Sequence, residues 1–112
     1  MERLLEKKCK PCEGGAEPLA AERVRLYLGQ LENWQADPQF KAISCRFEFP
    51  GFYKTMSFIN ALAWIANRQG HHPDFVAGYN YCDVTFTTHA INGLSENDFI
   101  CAARVNALME NQ

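Results

Sequence analysis

The chain has 112 residues, a length that suits one domain built around one core. Its apolar fraction of 47% and aromatic fraction of 12% supply a packed interior and argue against disorder. A formal charge of −2 and a pI near 5.9 exclude a broad positive field for nucleic acid, leaving at most a local patch around Arg23, Arg25 or Arg104.

Residues 1–18 combine charges, Gly14-Gly15 and two prolines, and read as a flexible leader ahead of a single domain over 19–112. No apolar segment follows the charges of Met1 to Lys8, so no secretory signal is expected and the cytoplasm is the simplest address. The five cysteines, at 9, 12, 45, 82 and 101, are odd in number and point to reduced thiols. Cys9-Lys10-Pro11-Cys12 has the spacing of half a zinc site, but no second C-x-x-C or H-x-x-x-H completes it. A redox reading would want the motif between a strand and a helix, and here it precedes every strand.

From Ala20 to Leu31 the apolar residues Val24, Leu28 and Leu31 recur at helical spacing. Trp34 follows, and Trp34 to Ala36 is a candidate strand, with Asp37-Pro38 as its turn. Lys41 to Phe49 alternates, with Ile43, Cys45, Phe47 and Phe49 on the face to be buried. Phe52 to Gln69 changes to helical period, with Phe52, Met56, Ile59, Leu62 or Ala63, and Ala66 as its stripe. Gly70 is placed to cap that helix, which spans about 27 Å at 1.5 Å per residue. The longest apolar run, Ile59 to Ala66, is broken by Asn60 and is too short for a bilayer, so no membrane is expected.

Phe75 to Tyr79 and Tyr81 to Thr88 read as two strands joined at Asn80. Cys82, Val84 and Phe86 share one face of the second, while Tyr81, Asp83, Thr85, Thr87 and His89 take the other. Ser95-Glu96-Asn97-Asp98 has the form of an acidic capping box, and Phe99 to Met109 continues as a helix. The order is α-β-β-α-β-β-α, an α+β fold with a four-stranded antiparallel sheet and three helices on one face. So small a sheet has two edges, and pairing between subunits would cover one, so a homo-oligomer is expected.

The chemistry concentrates in histidine. All three histidines lie between positions 71 and 89, as the adjacent pair His71-His72 and the lone His89. Gly70 before the pair and Pro73 after it turn the backbone, which is required for neighbouring side chains to line one pocket. The pair also follows a helix C-terminus, whose partial negative charge favours an imidazolium. Two histidines in a loop are nonetheless most often plain surface residues. Asp98, at a helix start, is first a capping residue. Motifs for dinucleotides, nucleoside triphosphates, serine hydrolysis and zincin chemistry do not occur.

The run His71-His72-Pro73, then Tyr79-Asn80, Thr88-His89 and Gly93-Leu94-Ser95-Glu96-Asn97-Asp98 resembles the pterin-4a-carbinolamine dehydratases, bacterial type. The likeness extends from about Leu19 to Leu108 and includes the Trp34 position and Phe47-Glu48-Phe49 to Phe52. It implies dimers or tetramers and removal of water from a 4a-hydroxytetrahydropterin, giving a quinonoid dihydropterin. The pterin is then the substrate, with no cofactor and no metal. The resemblance assigns His71 and His89 to the acid and base, in either order, and lets His72 bind or orient the pterin. It places Pro73, Asp98 and Trp34 in supporting or substrate-binding positions, Asp98 either orienting a histidine or steadying its helix. Bacterial relatives often accompany phenylalanine hydroxylase, and some serve as dimerisation cofactors of a transcription regulator. That second, non-enzymatic role would use a helix face such as Ile100, Ala103 and Ala107. One departure stands out: family members often carry an acid just before the histidine pair, and Asn67-Arg68-Gln69-Gly70 has none.

Overall fold

The computed structural model describes residues 3–11 and 16–110. Among these the main elements are α1 (Ala21–Leu28), β1 (Gln35–Ala36), β2 (Ile43–Glu48), α2 (Phe52–Gln69), β3 (Asp74–Ala77), β4 (Tyr81–Phe86) and α3 (Glu96–Met109). The expected α-β-β-α-β-β-α order is the observed one. The sheet is fully antiparallel, with β2 and β4 in the middle in the order β1-β2-β4-β3.

Alternation along β2 and β4 creates the core. Their register sets Ile43 opposite Phe86, Cys45 opposite Val84 and Phe47 opposite Cys82. All six side chains are buried beneath the helices. On the opposite face Arg46 meets Asp83 in a two-pronged pair, Nε to Oδ1 at 2.7 Å and Nη2 to Oδ2 at 2.9 Å. One face is therefore dry and the other wet, the condition for helices on a single side.

The α2 stripe differs from the expected one. The buried residues are Thr55, Phe58, Leu62, Ile65 and Ala66, while Phe52 is 54% and Met56 37% exposed. Apolar residues surround much of this helix, so period alone permits two stripes. Two tertiary contacts select one of them. The Thr55 hydroxyl reaches the Gly51 and Tyr79 carbonyls, both at 3.0 Å, and Phe58 packs between Phe47 and Phe49 at ring distances of 4.7 and 5.1 Å.

Two strand ends also differ. β3 starts at Asp74 and stops at Ala77, since Gly78 donates to the Tyr81 carbonyl across the turn. β4 ends at Phe86, and His89 opens a short 3-10 turn, His89–Ile91, instead of continuing the strand.

The largest difference lies at the N-terminus. Residues 3–11, read from composition as a flexible leader, are docked on the domain. Leu4 is 1% exposed and belongs to the core. Lys7 Nζ lies 2.6 Å from Glu96 Oε2, Arg104 Nη2 donates to the Lys7 carbonyl at 2.7 Å, and the Cys9 amide donates to Gln69 Oε1 at 2.9 Å. One apolar anchor and several polar ties to α2 and α3 hold a segment whose composition is mostly polar. Cys12, the second member of the C-x-x-C, lies outside the described residues.

Candidate active site

The local backbone turns at the end of α2. Gly70 adopts φ 64° and ψ 29°, a left-handed cap that a β-carbon disfavours. Its amide and that of His71 both close on carbonyls of the last helical turn, His71 N reaching Ala66 O at 3.2 Å. The chain thus reverses immediately before the histidines.

His71 is the most constrained of the three. Its side chain is 12% exposed, and its ring stacks on Phe86 at 6.0 Å and 12°. Nε2 lies 2.6 Å from Oδ1 of Asp98, whose side chain is wholly buried. The other oxygen of Asp98 accepts from Thr88 Oγ1 at 2.7 Å and from the Ser95 amide at 2.9 Å. The Ser95 hydroxyl completes the network at 2.7 Å from Thr88 Oγ1. Asp98 therefore does two jobs at once: it is the acidic arm of the α3 capping box and the partner of His71. With the carboxylate ionised, Nε2 carries a proton and Nδ1 is the ring nitrogen left for other contacts. Burial pulls the His71 pKa down, but the Asp98 hydrogen bond and charge, aided by Cys9, leave it raised.

A cavity of about 520 Å³ opens at this point. Its wall takes Gln69, Gly70, His71 and His72 from the end of α2, and Thr87, Thr88, His89 and Ala90 from the segment after β4. Asn97 adds the first turn of α3, and Cys9, Lys10 and Pro11 add the docked N-terminal segment. The volume falls in the range of small-molecule sites. All three histidines border it. His89 is 80% exposed, with Nε2 3.9 Å from Asp74 Oδ2, and His72 is exposed as well. A second cavity of about 510 Å³, beside Arg3, Gln30, Arg46 and Asn106, contains no histidine.

The remaining expected residues fall elsewhere. Pro73 follows the pair but does not line the cavity. Trp34 is a core residue, 6% exposed, and is not at the cavity. Its indole donates to Asn106 Oδ1 at 2.8 Å, and its ring packs at 5.8 Å from Phe86, the residue beneath His71. Its reach to the site is therefore through Phe86. Ile100 is fully buried, so no free helix face is formed by Ile100, Ala103 and Ala107. Sequence reasoning quoted Thr88 and Asn97 within the motif blocks but gave neither a site role, and it missed the wall formed by residues 9–11. Nothing local marks Thr88 as the link between Ser95 and Asp98. Among the described residues no group of three or more His, Cys, Asp or Glu is placed to hold a metal ion, and no helix is long and apolar enough to cross a membrane.

Residues 17–108 match the family model described as pterin 4 alpha carbinolamine dehydratase. The chain belongs to the pterin-4a-carbinolamine dehydratase family. A Nitrosomonas eutropha protein provisionally named for this activity is 55% identical, over 95% of this chain and 93% of its own. A Legionella pneumophila (strain Lens) protein with the same provisional name is 49% identical, over 95% of each chain. Among solved structures, a Brucella melitensis transcriptional coactivator/pterin dehydratase superposes with a TM-score of 0.78 at 33% identity. It matches 82% of this chain and 98% of that one. A pterin dehydratase-like protein described as a RuBisCO assembly factor in the alpha-carboxysome gives a TM-score of 0.60 at 28% identity, covering 69% and 89%.

Proposed function

We propose that the cavity dehydrates a 4a-hydroxytetrahydropterin to the quinonoid dihydropterin, returning the pterin of an aromatic amino acid hydroxylase such as phenylalanine hydroxylase to use. The observation that carries this reading is the convergence of His71, His72 and His89 on one cavity, with His71 held by a buried carboxylate. In the reaction the C4a–O bond breaks, the hydroxyl leaves as water after gaining a proton, and a ring nitrogen of the pterin loses one. An acid and a base are sufficient, and no electrons are exchanged with the protein.

His71 suits the acid. Its raised pKa keeps it protonated nearer neutrality, Asp98 holds the Nε2 proton, and the Nδ1 proton is available to the departing hydroxyl. His89, exposed on the segment after β4, accepts the ring-nitrogen proton and passes it to water, with His72 orienting the pterin. Asp98 is a positioning residue, and Pro73 holds the turn after the pair. The free thiols Cys9, Cys45, Cys82 and Cys101 suit a reducing compartment such as the cytoplasm. The test is a direct carbinolamine dehydration assay on purified protein. Acceleration lost in His71→Ala and in His89→Ala, with circular dichroism unchanged, is the expected result; a folded, inert wild type would overturn the reading.

A second reading, as a homo-oligomeric interaction module, is favoured by one surface. Among the described residues β3 pairs only with β4, all four of its residues are exposed, and Phe75 and Val76 are 47% and 64% exposed. We propose that two copies pair through these edges to form a dimer, on which a tetramer or a regulator can assemble. Light scattering of wild type beside Val76→Lys distinguishes the states: a dimer that becomes a monomer supports the edge, and an unchanged mass rejects it.

A further inference from the structure

Apart from the minor electrostatic support that Cys9 gives His71, Cys9 and Cys101 have no role in the proposed dehydration, yet their Sγ atoms lie 3.5 Å apart at the rim of the histidine cavity. Cys9 is half-buried and lines the cavity, so a small solute can reach it. Cys101 is fully buried on α3, one turn beyond Asn97. The two backbones are set in place without help from sulfur. The Cys9 amide donates to Gln69 at 2.9 Å, the Lys10 amide donates to Asn97 Oδ1 at 3.0 Å, and Lys7 pairs with Glu96 at 2.6 Å. A pair brought this close by independent contacts needs little movement to bond.

The two sulfurs are chemically unequal. The hydrogen bond between the two sulfurs, with His71 and Arg104 adding positive charge, outweighs burial and the nearby Asp98, so the Cys9 pKa is lowered. Cys101 is pushed far up, by the same contact with Cys9 and by burial. Cys9, whose thiol also reaches the Asn97 carbonyl at 3.6 Å, is the sulfur that faces the cavity, and the buried Cys101 stands behind it as a resolving thiol. By contrast, burial and then Asp83 push Cys45 and Cys82 up to about 11, which makes them inert internal controls.

We propose that Cys9 and Cys101 are an oxidisable dithiol that a hydroperoxide converts to a disulfide, bonding residues 3–11 to α3 as a fixed wall of the cavity. The Cys9 thiolate attacks one peroxide oxygen, the O–O bond breaks, and Cys9 becomes a sulfenic acid. The second oxygen takes a proton and leaves as water or an alcohol. Cys101 then gives up its proton and attacks Cys9 Sγ, the S–O bond breaks, and water leaves. Two thiols are oxidised, one peroxide is reduced, and a dithiol reductant reverses the change.

The experiment uses the full chain, purified reduced, treated with hydrogen peroxide, alkylated and digested without reduction for mass spectrometry. The expected product is a Cys9–Cys101 cross-linked peptide, with Cys45 and Cys82 recovered as alkylated thiols. Cys9 should be lost at least about tenfold faster than either control, following its thiolate character. Oxidation should raise the thermal midpoint by roughly 5–15 °C, and dithiothreitol should restore the original value. Cys101→Ser should stop at a Cys9 sulfenic acid captured by dimedone, and Cys101→Ala serves if the serine variant fails to fold. Cys9→Ser should leave Cys101 a thiol. A dominant Cys9–Cys12 cross-link, oxidation of Cys9 no faster than of Cys45, or stoichiometric zinc in the protein as purified would each overturn the proposal.

Discussion

Asp98→Asn separates the two duties of the buried carboxylate. The substitution preserves shape and removes the charge that His71 Nε2 meets at 2.6 Å. A hydrogen bond to a charged group contributes about 1.5–3 kcal/mol, and loss of an acidic cap about 1 kcal/mol. An amide oxygen retains part of the cap, so the cost should be about 2–4 kcal/mol, a fall of roughly 10–15 °C in Tm for a domain of this size. The pH dependence is the sharper readout. In the wild type the folded His71 pKa is raised, so its contribution to stability is complete below the unfolded value near ~6.5 and is lost as pH rises through the folded pKa. Without Asp98, burial dominates and the folded pKa drops below the unfolded one. Stability should then increase as pH rises through the same region. NMR titration of the His71 Cε1 proton and urea unfolding across pH 5 to 8 report the two effects separately. Dehydration should lose at least about tenfold in kcat with a smaller change in KM, as expected when an acid is misoriented instead of binding being weakened. A His71 pKa that stays in place in Asp98→Asn would refute the argument, whatever happens to stability.

Three further outcomes test the architecture. Leu4→Ala should cost about 2–5 kcal/mol in urea unfolding, because a side chain 1% exposed leaves a cavity behind. A cost within ~0.5 kcal/mol would mean that residues 3–11 do not belong to the core. Trp34→Phe loses the bond to Asn106 and some packing on Phe86, about 1–3 kcal/mol, while kcat should stay within about threefold because Trp34 does not line the cavity. Gly70→Ala meets no atom within 4 Å, so its cost should be that of the left-handed backbone alone, about 1–2 kcal/mol by denaturant titration, with a shifted His71 resonance as the chain turn readjusts.

Much of the fold was legible because it rests on local rules. The alternation of Ile43, Cys45, Phe47 and Phe49 specifies one buried face whatever the sheet packs against, and these are the residues found buried. Gly70 ends its helix in the left-handed conformation that its position in the sequence implied, and Ser95 with Asp98 forms the expected capping box. The clustering of histidine between 71 and 89 pointed to the residues that line one cavity, and the ordered motif blocks marked the family.

What distance in the chain conceals, the tertiary structure supplies. The amphipathic period of α2 admitted two stripes, and Thr55 and Phe58 chose between them by what they meet across the core. Trp34, given a supporting or substrate-binding position by the resemblance, lies in the core and packs on Phe86, the ring on which His71 stacks. The leader looked loose because its polar residues have no local partners; they find them on α2 and α3, as in the pairing of Lys7 with Glu96, 89 positions away. The histidines show the division most clearly. Their grouping and the turn beside them are properties of the amino-acid order. That His71 sits against Phe86 and Asp98, so that one imidazole is largely covered and held while the other two face solvent, depends on packing, since only partial burial beside a charge sets the histidines apart.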